Sequence, residues 1–342
     1  MTPNRLTRRT FMSAAVAASM FAMTAGHAAA ADKIKVGILS LTSHAGAYVA
    51  HERGYFADEN LDAELVMFQA AGPMAVAIAS GDIDYGVTAM TGALINLAEK
   101  GAVKVIGGAL TEEKGIDGQK ILASNAAFDA GLKTPADLKG KRFGITGTGS
   151  SFHYMASKIA MKEGFSTADM ELVALQKVPA VIAALKSGQV DAWSIVPHIA
   201  AGLAGSDGAK IIGDVADYID GYQVTNVFTS TANTTENRDV TERFLKAYSK
   251  GIADYNAALV DKTAGEDAAN AMVELIHKYV YTDRPLDKAA GPIKAGAMRL
   301  QPGCKMNMAS VTDQFEWFKA EKLVPDTAKL ENLVDTSFVE TY

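Results

Sequence analysis

Cysteine is nearly missing from this chain: Cys304 stands alone among 342 residues. No disulfide can close within the chain and no cysteine-rich metal centre can be assembled, so stability has to come from packing. Blocks of Lys and Arg are missing too. With 33 basic against 39 acidic residues the net charge is −6, which argues against nucleic acid or an anionic membrane as the main partner, because both are held through concentrated positive charge. The catalytic signatures G-x-S-x-G and H-E-x-x-H do not occur, and Cys304 offers no Cys/His arrangement. What is present is an ordinary globular composition, 49% hydrophobic and 21% charged, over a length that suggests two domains with a core each. A small molecule or a protein is the expected partner, no nucleic acid and no membrane, with no cofactor.

The first thirty residues read as an address. Residues 1–11 carry Arg5, Arg8 and Arg9 and no acid, and Met12 to Ala25 is small, apolar and uncharged. That run falls well short of the ~20 residues needed to cross a bilayer. Ala28 to Ala31 then suits a signal peptidase, so a secretory signal removed near Ala31 is expected. The string Thr7-Arg8-Arg9-Thr10-Phe11-Met12 resembles a twin-arginine export signal, without the lysine that often follows. A general secretory signal in which two arginines adjoin is the other reading. No cysteine ends the apolar run, so a lipid anchor is not expected. Loss of residues 1–31 takes three arginines and no acid, leaving 30 basic and 39 acidic residues, or −9. The expectation is an acidic protein free in the periplasm, a monomer.

From Lys33 onward short β-branched runs alternate with amphipathic helical stretches, the pattern of an α/β chain with a mostly parallel sheet. Strands are expected at 34–39, 63–68, 85–88, 104–108, 120–124, 142–146, 171–175, 192–196 and 225–229, and helices at 45–52, 73–80, 91–100, 151–163, 179–187 and 197–204. After Thr234 the pattern turns to long helices, at 237–259, 265–279, 286–297 and 310–321. An internal repeat organises the first part. Pro73 to Tyr85 echoes Pro179 to Trp193: Pro opens a helix, Gly81 or Gly188 closes it, and Asp84 or Asp191 follows three residues later, ahead of a strand. Two similar α/β lobes are indicated.

Six pieces in order carry a family likeness. They are Ile34–Leu39, Gly54-Tyr55-Phe56, Ala71-Gly72-Pro73, Ser80–Gly86, Thr134–Lys141 with Gly147–Tyr154, and Ser187–Trp193. Together, over residues 33–260, they resemble the nitrate, sulfonate and taurine type of periplasmic solute-binding protein. The resemblance implies an α/β, two-lobed periplasmic-binding-protein fold (type II), with two parallel or mixed sheets flanked by helices and a two-segment hinge. It also implies crossings near Leu122–Asn125 and Tyr222–Val227, hence lobe one at 32–122 plus 226–342 and lobe two at 123–225. The implied function is capture of a small organic anion of the sulfonate, carboxylate or aromatic acid class in an interlobe cleft, for delivery to an ABC permease. Catalysis is not implied. The thiamine-pyrimidine-synthase group shares the fold but uses a cysteine-rich motif that this chain lacks; that enzyme and a periplasmic ligand sensor are the alternatives.

Ligands of α/β lobes lie at the carboxyl ends of parallel strands, against helix N-termini. The loops there supply the candidates. Gly147-Thr148-Gly149-Ser150-Ser151 follows a strand and opens a helix, so its backbone and hydroxyls suit an anion, although Ser150 as a plain N-cap is the alternative. Phe152 in place of a third glycine excludes a dinucleotide fingerprint, and no Gly-Lys-Ser/Thr makes a P-loop. Facing loops offer Thr42, Ser43 and His44, then Gln69 and Gly72, then Thr88 and Thr91. The second lobe adds Lys177, to pair with an acid unless it is simply solvated, and Trp193, to stack on a flat ligand unless it is core. His44 and His51 lie seven apart with Glu52 adjacent, which makes no zinc motif, and no metal is expected.

Overall fold

A computed structural model describes residues 30–342; the leader, with its arginine pair, lies outside the described residues. The parallel β-α pattern begins at β1 (Asp32–Leu39) and continues through β2 (Leu61–Phe68), β3 (Tyr85–Thr88) and β4 (Val103–Gly108). The chain then builds β5 (Lys120–Ala123), β6 (Arg142–Ile145), β7 (Glu171–Ala174), β8 (Ala192–Ile195) and β9 (Lys210–Asp214), and returns as β10 (Asn226–Ser230). Helices α1 (Ala45–Glu52), α2 (Tyr55–Asp58), α3 (Ala71–Ser80) and α4 (Gly92–Glu99) connect the first strands. The next are α5 (Asn125–Asp129), α6 (Ser151–Lys162), α7 (Val178–Ser187) and α8 (Pro197–Gly205). The remainder is helical: α9 (Thr231–Thr235), α10 (Arg238–Tyr255), α11 (Glu266–His277), α12 (Leu286–Ala295), α13 (Met308–Ala320) and α14 (Leu330–Leu333).

Two five-stranded sheets result, in the orders β2-β1-β3-β10-β4 and β7-β6-β8-β5-β9. As expected for mostly parallel or mixed sheets, each carries one strand of opposite sense. β10 runs antiparallel to β3 and β4, and β5 antiparallel to β8 and β9. In the first sheet the strand out of sense, β10, is the one that returns after the second sheet is built, and in the second it is β5, the strand by which the chain enters. β9 is the strand that the pattern misses; only part-buried at an edge, it shows neither alternation nor a full apolar run.

The first crossing also lies earlier than expected. Lys120–Ala123 is already a strand of the second sheet, so the chain changes sheets between Gly108 and Lys120, and it returns between Asp214 and Asn226. The two crossing segments pair with one another. Val224 N donates to Leu110 O at 2.8 Å, Glu112 N to Tyr222 O at 2.8 Å, and Ala109 N to Thr225 O at 3.0 Å.

The internal repeat is visible atom by atom. Gly81 (φ 80°) and Gly188 (φ 73°) close α3 and α7 in the left-handed region, where a Cβ is penalised. Beyond them, the Asp84 carboxylate accepts from Lys35 N at 2.7 Å and the Asp191 carboxylate from Arg142 N at 2.8 Å. Each acid thereby fastens the neighbouring strand of its sheet, β1 near its middle and β6 at its start. In the helical remainder, α10 packs on α1 so closely that a Cβ on Gly251 would stand 2.2 Å from Gly46 O. The helix expected over 237–259 is instead α10 followed by a π turn, Asn256–Val260, where the Asn256 side chain bonds both N and O of Leu300.

Candidate functional site

The carboxyl ends of β1, β2, β3, β6 and β8 converge on one gap. Its inner part is a cavity of about 50 Å³ that Ser43, His44 and Thr88 line from the first sheet's side, and Thr146, Ser151 and Phe152 from the second's. Gln119 and Thr225 from the two crossings complete it. An outer chamber of about 330 Å³ adjoins it, since both are bounded by Leu39, Leu41 and Val178. The chamber walls are largely apolar, with Phe68, Ile182 and Ile199 prominent, and carry Gln69, His198, Lys186, Tyr281 and Arg284.

Two histidines sit in these walls. His44 and His198 are buried, and burial pushes both imidazoles down to about 3, the charge of His44 adding to the effect on His198. Both are therefore neutral near pH 7, able to donate or accept a hydrogen bond but not to neutralise an acid. His44 Nδ1 and His198 Nε2 have no partner among the described residues. The other nitrogen of His198, Nδ1, lies 2.8 Å from Thr42 Oγ1. The backbone of His198 is held too: Tyr281 donates its hydroxyl to His198 O at 2.8 Å, and a Cβ on Gly296 would come within 2.4 Å of His198 N.

Backbone bonds also join the two sides. Val178 N donates to Gln69 O at 3.1 Å, and Gly92 N to Gly149 O at 3.0 Å. The second of these accounts for the glycine loop. Gly149, at φ 74°, turns its carbonyl onto the N-terminus of α4 while its N–H goes to His153 Nδ1. Gly147 O accepts from Ser150 N, and Thr148 is exposed. Ser150 stands at the N-cap of α6, yet its hydroxyl makes no capping bond and is buried without a partner.

Of the expected residues, Ser43, His44, Thr88 and Ser151 line the inner cavity and Gln69 the outer chamber. Thr42 stands just behind, on His198. The others serve elsewhere. Thr91 caps α4, accepting from Leu94 N at 3.1 Å. Gly72 lies in the first turn of α3, Lys177 is exposed at the N-cap of α7, and neither lines the gap. Trp193 is a correction: it is fully buried, its ring centroid 5.5 Å from that of Phe152, so it backs a cavity-lining ring and cannot stack on a ligand.

Residues outside the expectation are His198, Tyr281 and Arg284. His198 follows β8 directly, so the strand-end rule that selected His44 applies to it equally. Tyr281 and Arg284 follow α11, far from any strand end, and carry no local signal. Cys304 lines neither space, and burial pushes its thiol up to about 12. Among the described residues, no group of three or more His, Cys, Asp or Glu is placed to hold a metal.

A family model described as NMT1/THI5 like matches residues 41–258, more than half of the chain. The chain belongs to that family. No curated protein sequence matches this NMT1/THI5-like chain. Among solved structures it is similar to the alkanesulfonate-binding protein of Xanthomonas axonopodis pv. citri bound to MOPS, with 18% identity, TM-score 0.70 and coverage of 89% of this chain and 98% of that one. It is also similar to the periplasmic aliphatic sulphonate binding protein of Escherichia coli, with 19% identity, TM-score 0.67 and coverage of 89% and 92%. The periplasmic nitrate-binding protein of Synechocystis PCC 6803 follows, with 14% identity, TM-score 0.61 and coverage of 75% and 68%. At these identities the likeness establishes the periplasmic-binding-protein fold. The resemblance read from the six sequence pieces is thus borne out as to family and fold. Tyr281, Arg284 and Gly296 all lie beyond the family match.

Proposed function

We propose that this chain is the exported solute-binding component of an ABC importer, capturing a small organic anion of the sulfonate, carboxylate or aromatic acid class and handing it to a permease. The observation that carries the reading is the gap itself. Two mixed sheets face it with their strand ends, and in a protein of net negative charge no carboxylate among the described residues lines the outer chamber while Lys186 and Arg284 do. The NMT1/THI5-like membership and the three structural relatives, by their names binders of sulfonates and nitrate, support it. No helix among the described residues is long and apolar enough to cross a membrane.

In this reading, lobe one comprises residues 32–108 with 226–342 and lobe two residues 120–214. The paired crossings are the hinge. Opening would break the bonds Thr42–His198, Gln69–Val178 and Gly92–Gly149, and a ligand bridging the lobes would offset their loss on each reclosure. In this reading the leader exports the protein to the periplasm.

The test is thermal unfolding of the purified protein against sulfonates, aromatic and aliphatic carboxylates, nitrate and pyrimidines. A ligand at a hundred times its Kd adds about 2.7 kcal/mol of stability. A raised midpoint with an organic anion recovered unchanged is the expected outcome; a consumed compound would favour an enzyme instead.

A further inference from the structure

We propose that the helical segment beyond the family match supplies a recognition subsite, in which Arg284, stacked on Tyr281, binds the acidic group of a ligand whose ring-sized apolar body fills the outer chamber. The inference rests on the solute-binding reading above and names its ligand class: a monocyclic aromatic acid.

Arg284 differs from every other arginine among the described residues. Arg53, Arg142, Arg238, Arg243 and Arg299 each hold a carboxylate within 2.9 Å. The nearest carboxylate to Arg284 is that of Asp283, its chain neighbour, at 3.8 Å and 80% exposed, and an ion pair of that kind is worth little. The guanidinium instead lies over the Tyr281 ring, 4.3 Å from the centroid, a geometry that leaves its edge N–H groups free for a planar acid. Tyr281 is fixed in turn by its bond to His198 O. The clamp is therefore preorganised against α8 rather than carried on a free loop.

A cation at this wall complements the rest of the interior. His44 and His198 are neutral, and among the described residues no cationic side chain other than Lys186 and Arg284 lines the outer chamber. A charged ligand held only by imidazoles, hydroxyls and apolar walls would keep an uncompensated charge at a large desolvation cost. The walls specify the rest. Phe68, Ile182, Ile199 and Leu203 present apolar and aromatic surface, in a chamber whose volume falls at the low end of the ~300–1,000 Å³ usual for small-molecule pockets. A single ring with an acid at one end suits both features, whereas nitrate or methanesulfonate would leave the apolar walls unused.

The experiment is calorimetric titration with benzoate, phenylacetate and benzenesulfonate, the neutral benzamide and phenylacetamide, and the small anions nitrate and methanesulfonate. It is run on the unaltered protein and on Arg284→Gln and Arg284→Lys, each variant first shown to keep its unfolding midpoint. At least one aromatic acid is expected to bind about tenfold or more tighter than its amide, a preference lost in Arg284→Gln and partly kept in Arg284→Lys. An aromatic acid bound equally well by Arg284→Gln, or binding confined to nitrate and methanesulfonate, would overturn the subsite and leave the solute-binding reading standing. Silence across the whole panel would count against the organic-anion reading itself, and the subsite with it.

Discussion

Thr42 Oγ1 and His198 Nδ1 meet at 2.8 Å from opposite sides of the cleft, both buried. The contact ties the loop after β1 to the first turn of α8. Thr42→Val keeps the shape and removes the hydroxyl, leaving His198 Nδ1 buried without a partner. A buried polar group so orphaned costs about 1–3 kcal/mol. Urea unfolding should show the midpoint falling by that equivalent at unchanged m-value, with Thr42→Ser restoring most of it. A Thr42→Val protein as stable as the original would mean that the histidine finds another partner.

Stability should also depend on pH through three buried groups. His44 and His198 are pushed down from 6.5 to about 3, whereas burial pushes the Glu112 carboxyl, set where the crossings pair, up from 4.5 to about 7. The histidine contribution is complete above pH 6.5 and is lost as pH falls toward 3. That of Glu112 is complete below 4.5 and is lost as pH rises through 7. Between pH 5 and 6 the unfolded chain therefore holds two histidine protons that the folded chain lacks, and the folded chain holds one on Glu112. The net uptake on unfolding is about one proton, so stability rises by about 1.4 kcal/mol per pH unit. His153, also lowered by burial, adds in the same direction. Glu112→Gln removes the opposing group and should steepen the slope to about two protons, read from urea midpoints across this window. An unaltered slope would mean that Glu112 is ionised in the folded protein.

Much of this fold was legible because it repeats. Asp84 and Asp191 recur at one spacing after Gly81 and Gly188, and each bonds the backbone of the strand beside its own. The ends of α3 and α7 followed from Gly81 and Gly188 and the start of α7 from Pro179, whereas α3 begins two residues ahead of Pro73. Less was legible where a residue's role depends on what faces it. Gly147 to Ser151 reads as an anion cradle or as a turn before a helix, and its contact with Gly92 across the gap, whose N–H takes the Gly149 carbonyl, leaves no mark in the local string. Trp193 lies on a strand buried on both faces, where no alternation marks the cleft side. Arg284 reaches the chamber because α12 and the loop before it pack on α8, a long-range packing that leaves no periodic trace.

Export is testable apart from binding. Replacing Arg8 and Arg9 together by Lys preserves the positive start of the leader and removes the pair that a twin-arginine route requires. Cell fractionation should then find uncleaved precursor accumulating inside, with the periplasmic form reduced at least several-fold. Normal export of the double variant would assign the general secretory route, and the binding role would be unaffected.

Gly296 is the position where the helical segment and the site are most tightly coupled. Its φ is −95°, so alanine meets no backbone penalty there. The obstacle is steric: the added Cβ would lie 2.4 Å from His198 N and 2.5 Å from His198 Cα. Backbone cannot swing aside as a side-chain tip does, so α8 and the loop after α12 must separate. Gly296→Ala should cost about 1–3 kcal/mol by overpacking. It should also weaken ligand binding, because Thr42 and Tyr281 both lose their register with His198. Gly205→Ala, in α8 itself, supplies the control: its Cβ would meet open space, and the loss of a helical glycine should leave stability unchanged or raise it by up to about 1 kcal/mol. If the two variants unfold at the same urea concentration and bind alike, the close approach of Gly296 to His198 does not hold the site together.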